Sequence, residues 1–246
     1  ALGNSNDEFW RDFPDNRQYI RELELFRVKQ AYPTLFTAFE RFSSENFTRL
    51  LKLVCVLSFR YTIVSSLNPN ELEILYNKVA IAITNGEITT PKQVFDNLRS
   101  IYVSDEKFLQ DFSLLSIFTK GQKKKLVRYI LCKLETDASQ IDVNEDSFSI
   151  EHILPESPSG EWYQNFTDAQ LEAMVYRIGN LTLLEPHLNR QVGNEFYSVK
   201  RAIYQQSVYT LTQNISAEEW TPDTLATRQR RLAQRAVHIW RIDFPS

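Results

Sequence analysis

Three short groups in the second half of the chain carry side chains that could do acid–base and metal chemistry together. They are Glu151-His152-Ile153-Leu154-Pro155, Ile178-Gly179-Asn180-Leu181-Thr182-Leu183-Leu184, and His187-Leu188-Asn189. An imidazole titrates near neutrality and can take a proton from water. A carboxylate and an amide oxygen are hard ligands suited to Mg²⁺ or Mn²⁺, leaving positions for water and a phosphate oxygen. A base and one such cation are the minimum for breaking a phosphodiester: the base activates the attacking water, and the metal offsets charge on the phosphoryl group and the leaving oxygen. Taken singly, each residue has a plainer explanation. A histidine between a strand and a proline is commonly a structural hydrogen-bonding group, Asn180 can simply close a turn, and Asn194 has the chemistry of a helix N-cap.

To bring these groups together the chain needs two strands and a helix. Ser147-Phe148-Ser149-Ile150 alternates polar and apolar, the period of a half-buried strand, with Glu151-His152 directly after it. Asn180 to Leu184 reads as a second short strand, introduced by Gly179 and closed by Pro186. Val192, Phe196, Val199 and Ile203 then recur at helical spacing and predict one continuous helix face. The last element opens at Thr221-Pro222, as N-cap and first turn, and presents Leu225, Leu232, Ala236 and Trp240 on its apolar side. Arg228, Arg231, Arg235 and His238 form a stripe beside that side, fit either to support DNA or to cover apolar surface with their stems.

The first 140 residues read as a helical scaffold without chemistry of its own. Asn46 to Ser65 is apolar nearly all round and predicts a helix central to a bundle. Asn70 is the expected cap of a helix ending near Asn85-Gly86, Thr90-Pro91 opens another, and Lys120 to Leu134 gives a further one. The expected division is therefore a scaffold domain over residues 1–140 and a catalytic domain over 141–246.

Composition narrows the options. At 43% hydrophobic and 24% charged residues this is an ordinary globular chain. Six glycines form neither a P-loop nor a G-x-G-x-x-G turn. Cys55 and Cys132 stand alone in apolar stretches, which suggests a reducing compartment and a cytoplasmic location. Leu50 to Val64 is interrupted by Lys52 and Arg60 and is too short to cross about 30 Å of hydrocarbon, so no membrane is expected. The net charge of −3 argues mildly against a polyanionic partner, but it is unevenly spread: residues 111–140 carry +3, 141–172 carry −8, and 173–246 carry +3. The acidic block is either a set of solvated faces or a pocket for a divalent cation bordered by phosphate-holding surfaces. Because the chain starts at Ala1, a processed form or a piece of a longer protein is expected.

His152 before Pro155, the Gly-Asn-Leu-Thr-Leu-Leu strand, Asn189, Asn194 and Lys200 resemble the HNH (ββα-metal) nuclease domain at the C-terminus of GmrSD-type, modification-dependent restriction proteins. Trp162 and the closing stretch from Trp220 through Arg228-Gln229 and Leu232-Ala233 to Ile239-Trp240 resemble that family's C-terminal region as well. The resemblance implies a mainly α fold, a helical bundle followed by a small ββα-metal unit embedded in further helices. It implies His152 as general base, Asn180 as the residue whose amide ties the loop carrying His152, and Glu151 and Asn189 as ligands of Mg²⁺ or Mn²⁺. The nine-residue step from Asn180 to Asn189 fits the HNH spacing. Arg190, Lys200 and Arg201 are then expected on DNA phosphates, with His187 a second candidate for metal or phosphate contact.

The implied activity is divalent-metal-dependent cleavage of double-stranded DNA by the effector portion of a bacterial anti-phage system acting on modified or foreign DNA. Its implied partners are an N-terminal ParB-like nucleotide-hydrolysing sensor domain, not found in these residues, and, in a homo-oligomer, a second copy of the chain. The rival from another class is a non-catalytic interaction or nucleic-acid-binding module with a degenerate HNH site; a Ser or Cys nucleophile has no supporting motif.

Overall fold

A computed structural model describes residues 1–244. The chain is mainly helical, as expected. In order the elements are α1 (Pro14–Phe26), α2 (Tyr32–Arg41), α3 (Ser44–Ser58), α4 (Pro69–Thr84), α5 (Pro91–Leu98), α6 (Asp105–Phe112), α7 (Gly121–Ser139), β1 (Ser149–His152), α8 (Trp162–Asn165), α9 (Asp168–Met174), β2 (Leu181–Leu184), α10 (Pro186–Val192), α11 (Tyr197–Tyr204), α12 (Thr210–Gln213) and α13 (Pro222–Ile239). They group into two compact units, one of Ala1–Phe108 with the residues from Trp240 on, the other of Leu109–Ile239. The division falls at 108/109 rather than at 140/141. α7 belongs to the second unit because Glu135, buried on it, accepts hydrogen bonds from the backbone N–H groups of Thr210 and Leu211 at the start of α12, both at 2.8 Å. No helix among the described residues is long and apolar enough to cross a membrane.

In the first unit the apolar stretch after residue 46 is indeed central. α3 buries Phe47, Leu50, Leu51, Val54 and Leu57, then continues as a π-helical turn over Phe59–Val64. That turn aims Arg60 into the interior, where it donates to the carbonyls of Trp240 (2.5 Å) and Val103 (2.7 Å) and to the Asp105 carboxylate (2.7 Å). The cap of α4 is Asn68, not Asn70: the Asn68 side chain accepts from the Asn70 N–H, and Pro69, which has no N–H to satisfy, takes the first helical position. α5 starts as expected, with Thr90 and Gln93 forming a reciprocal capping box.

The second unit is built round an antiparallel hairpin of β1 and β2, with Glu151 opposite Thr182 and His152 opposite Leu181. The first strand lies two residues later than the polar–apolar alternation suggested, so Glu151 and His152 are its last two residues rather than the start of the following loop. The alternation at 147–150 misled because Phe148, although buried, precedes the ladder. Two strands are marginal alone; here they are held by a core containing Ile153, Leu154, Leu184, Leu188, Tyr204 and Trp220. The single helix expected over 192–203 is two. Gly193, at φ +46°, ends α10 in a conformation that favours glycine, and α11 restarts at Tyr197, leaving Val199 43% exposed. Asn194 is exposed and caps neither helix; the position before α11 is Phe196.

Candidate active site

Asn180 occupies the last position of a 3₁₀ turn directly before β2 and is fully buried. Its Oδ1 accepts from the Leu154 N–H (2.8 Å) and from Trp220 Nε1 (3.1 Å). Its Nδ2 donates to the carbonyls of Leu154 (2.8 Å) and Val175 (2.9 Å). The amide thus ties the segment just after His152 to the start of β2. Next to it Gly179 leaves no space for a side chain: a Cβ there would stand 2.6 Å from the Cβ of Gln229 and 2.8 Å from the Leu225 carbonyl. Gln229, buried on α13, accepts from the Gly179 N–H (3.2 Å) and donates to the carbonyls of Phe112 and Leu115.

Glu151 lies 5% exposed beneath the hairpin. Its Oε1 accepts from Lys200 Nζ and from the Tyr204 hydroxyl, each at 2.8 Å, and its Oε2 accepts from Asn189 Nδ2 at 2.9 Å. Lys200 also donates to the His152 carbonyl at 2.9 Å. Burial raises the Glu151 carboxyl above its ordinary range against the pull of Lys200, and burial likewise lowers Lys200. Tyr204, fully buried, is held well above an ordinary phenol by desolvation and by the adjacent carboxylate.

The His152 ring has a different set of neighbours, since successive strand residues face opposite ways. Its Nε2 is 3.1 Å from Thr119 Oγ1, which itself donates to Glu156 Oε1 at 3.4 Å. Tyr176 donates to the same Glu156 oxygen at 2.9 Å and stands edge-on to the imidazole, ring centres 5.9 Å apart. Burial lowers the imidazole to about 4, Glu156 opposing and Lys200 assisting. At neutral pH the ring is therefore uncharged, and one nitrogen keeps a lone pair.

The structure thus gathers Glu151, Asn189 and Lys200 into one polar cluster, with His152 and Asn180 on the adjoining backbone. It does not gather the expected phosphate contacts. Lys200 is fully buried in the ion pair with Glu151 and cannot meet a phosphate at the surface; the helical face containing it turned inward once Gly193 broke the expected continuous helix. Arg201 is engaged by both oxygens of Glu218, at 2.8 and 2.9 Å. Arg190 and His187 are exposed on α10 with no part in the cluster. The arginine stripe of α13 is divided: Arg228 donates inward to the carbonyls of Gly179 and Leu181, and Arg235 pairs with Asp137. Among the described residues no three His, Cys, Asp or Glu side chains form a cluster of their own for a metal. Sequence reasoning missed Thr119, Glu156, Tyr176 and Tyr204. Tyr204 was within reach of it, four residues beyond Lys200 and hence on the same helix face; Thr119 and Tyr176 come from distant segments with no motif to flag them.

The model of the GmrSD restriction endonucleases' C-terminal domain matches residues 102–235. The chain belongs to this family. The match spans more than half of the chain and contains the hairpin, the Glu151 cluster and the His152 surroundings, and the family's description points to a nuclease of the restriction-endonuclease type. No curated protein matches it.

Proposed function

We propose that this GmrSD-family chain is an HNH-type, divalent-metal-dependent DNA endonuclease, the effector portion of a restriction protein that acts on modified or foreign DNA. The observation that carries the reading is the meeting of Glu151 Oε2 with the Asn189 side chain, 2.9 Å apart, on the strand residue next to His152. A carboxylate oxygen and an amide oxygen are the donor set a hard dication prefers; Oε2 accepts only from Asn189 Nδ2, and to ligate an ion the Asn189 amide would turn its Oδ1 toward it. Glu151 and Asn189 would hold Mg²⁺ or Mn²⁺, and the ion when bound offsets charge on the phosphoryl oxygens and the leaving group.

The rest falls to the chain's own residues. With the Thr119 hydroxyl proton directed at Glu156, Thr119 accepts the Nε2 proton of His152 and leaves the lone pair on Nδ1. The neutral ring takes a proton from water there as the water oxygen bonds to phosphorus; the bond from phosphorus to the 3′ oxygen breaks and that oxygen takes a proton from solvent water, giving a 3′-hydroxyl and a 5′-phosphate. DNA phosphates meet Lys120, Lys123, Lys124 and Lys125, which are exposed and follow Thr119 directly at the start of α7. That helix has no side-chain cap, so its first N–H groups add to the attraction. These lysines replace Lys200 and Arg201 as the backbone contacts.

The test is nicking of supercoiled plasmid with Mg²⁺ or Mn²⁺. His152→Ala should lower the rate by about 10²–10⁴-fold with an unchanged circular dichroism spectrum; equal activity removes the mechanism. One observation favours the rival, non-catalytic reading: the Lys200 ammonium already neutralises Glu151. Mn²⁺ titration followed by electron paramagnetic resonance separates the two, since a live site binds the ion and Asn189→Ala weakens that binding.

A further inference from the structure

A cavity with a volume of about 630 Å³ lies against α13, lined by residues of that helix and of the segment from Leu211 to Trp220. Its floor is apolar, formed by Leu211, Ile215, Trp220 and Leu232. Arg228 and Arg231 stand over that floor on one face of the helix. The two halves of the Arg228 guanidinium have different fates. Nη1 is used by the carbonyls of Gly179 and Leu181, at 2.8 and 2.9 Å, whereas Nη2 is buried and has no acceptor. A buried N–H of a charged group is rarely left unpaired, because it loses water and gains nothing in return. Arg228 is at the same time one of the residues lining the cavity, which is large enough for a small organic molecule.

We infer that this cavity binds a phosphomonoester with an apolar body, its phosphate on Arg228 and Arg231 and its body against Trp220 and Leu232. Guanidinium groups pair with phosphate through two parallel hydrogen bonds, the geometry that a half-used arginine still offers. The charge favours an anion: Arg228 and Arg231 line the cavity against the one carboxylate of Asp223, while the third lining arginine, Arg235, is paired with Asp137. The site does not rest on the nuclease reading. It does touch the catalytic frame, since the carbonyls held by Arg228 Nη1 flank Asn180 on both sides. Two sources supply this chemistry: a free phosphate ester, or the 5′-phosphate end of a cut DNA strand.

The experiment is calorimetric titration of the full chain with phenyl phosphate. Saturable binding is expected, at least tenfold weaker in Arg231→Ala, an exposed position whose loss leaves the fold intact, and unchanged in Arg230→Ala, which lies outside the cavity. Benzoate should bind more weakly and benzyl alcohol not measurably. Absence of saturable binding, equal binding of benzyl alcohol, or indifference to Arg231→Ala overturns the site. Once phenyl phosphate binds, a pair of oligonucleotides with 5′-phosphate and 5′-hydroxyl ends identifies the source. Preference for the phosphorylated end assigns it to DNA, and equal affinity assigns it to a free ester; both results support the site.

Discussion

Each unit of the molecule buries one cation completely, and the two are used in opposite ways. Arg60, in the first unit, has every guanidinium nitrogen bonded, two to carbonyls and one to Asp105, and lies 4.6 Å from the ring centres of both Tyr102 and Phe108. Lys200, in the second, spends two bonds on Glu151 and on the carbonyl of His152, the residues on which catalysis is proposed to depend. Removing a charge from water costs several kcal/mol in either place. In the first unit that cost fixes packing between distant segments. In the second it pairs Glu151, a carboxylate raised by its own burial against the pull of Lys200, beside the proposed general base, where a second cation could compete for it.

The contrast can be broken most directly by a pair of substitutions. Arg60→Met should destabilise the protein by about 3–5 kcal/mol, read as a drop in urea midpoint, and Mn²⁺ should not restore it. Lys200→Met should lose a similar amount, because Glu151 is left buried without a cation, but Mn²⁺ should recover much of it by taking the vacated role. Equal behaviour of the two variants toward Mn²⁺ would end the distinction. A smaller loss is expected for Asn180→Asp, which turns two donors into acceptors facing the Leu154 and Val175 carbonyls. About 1–3 kcal/mol should follow, together with slower cleavage, while variants in the first unit should change stability alone.

Acid separates the units next. All three histidines lie in the second unit, and His152 is lowered to about 4 from an ordinary 6.5. Its neutral form is favoured in the folded chain, so the stability it contributes is complete above about 6.5 and is lost as pH falls toward 4, where the unfolded chain binds the proton first. In metal-free protein the rise of stability with pH across that window should flatten in His152→Asn. The smallest effect should come from Lys123→Ala, Lys124→Ala and Lys125→Ala combined: a few-fold higher KM for plasmid, a shallower dependence on salt, and little change in kcat.

The residues of the motif were legible in the sequence because the chemistry demands their types. Glu151, His152, Asn180 and Asn189 could be named from their order; in the fold Asn189 bonds to Glu151 and Asn180 bonds to the backbone of Leu154. What escaped was geometry set by tertiary contacts. β1 begins two residues late because the ladder starts where Leu184 is available as a partner, not where alternation begins. The helix over 192–203 broke at Gly193 because a periodic apolar pattern carries no information about φ at one position. Lys200 looked like a surface phosphate ligand because a lysine's charge ordinarily keeps it exposed; its carboxylate partner lies 49 residues away. Helix ends with local signals fared better, as with Thr90-Gln93 and with Thr221, whose hydroxyl accepts from the Thr224 N–H.

The close approach at Gly179 bears on the order in which this enzyme can mature. The turn that seats Asn180 is pressed against Leu225 and Gln229, residues of α13. In a nascent chain the whole Glu-His to Asn189 motif is translated before that helix. Until residues 222–239 emerge, the hairpin lacks the wall it rests on, so an interrupted translation product would hold the catalytic residues without the frame that aligns them. If the proposed activity holds, that dependence of the site on α13 doubles as a safety catch.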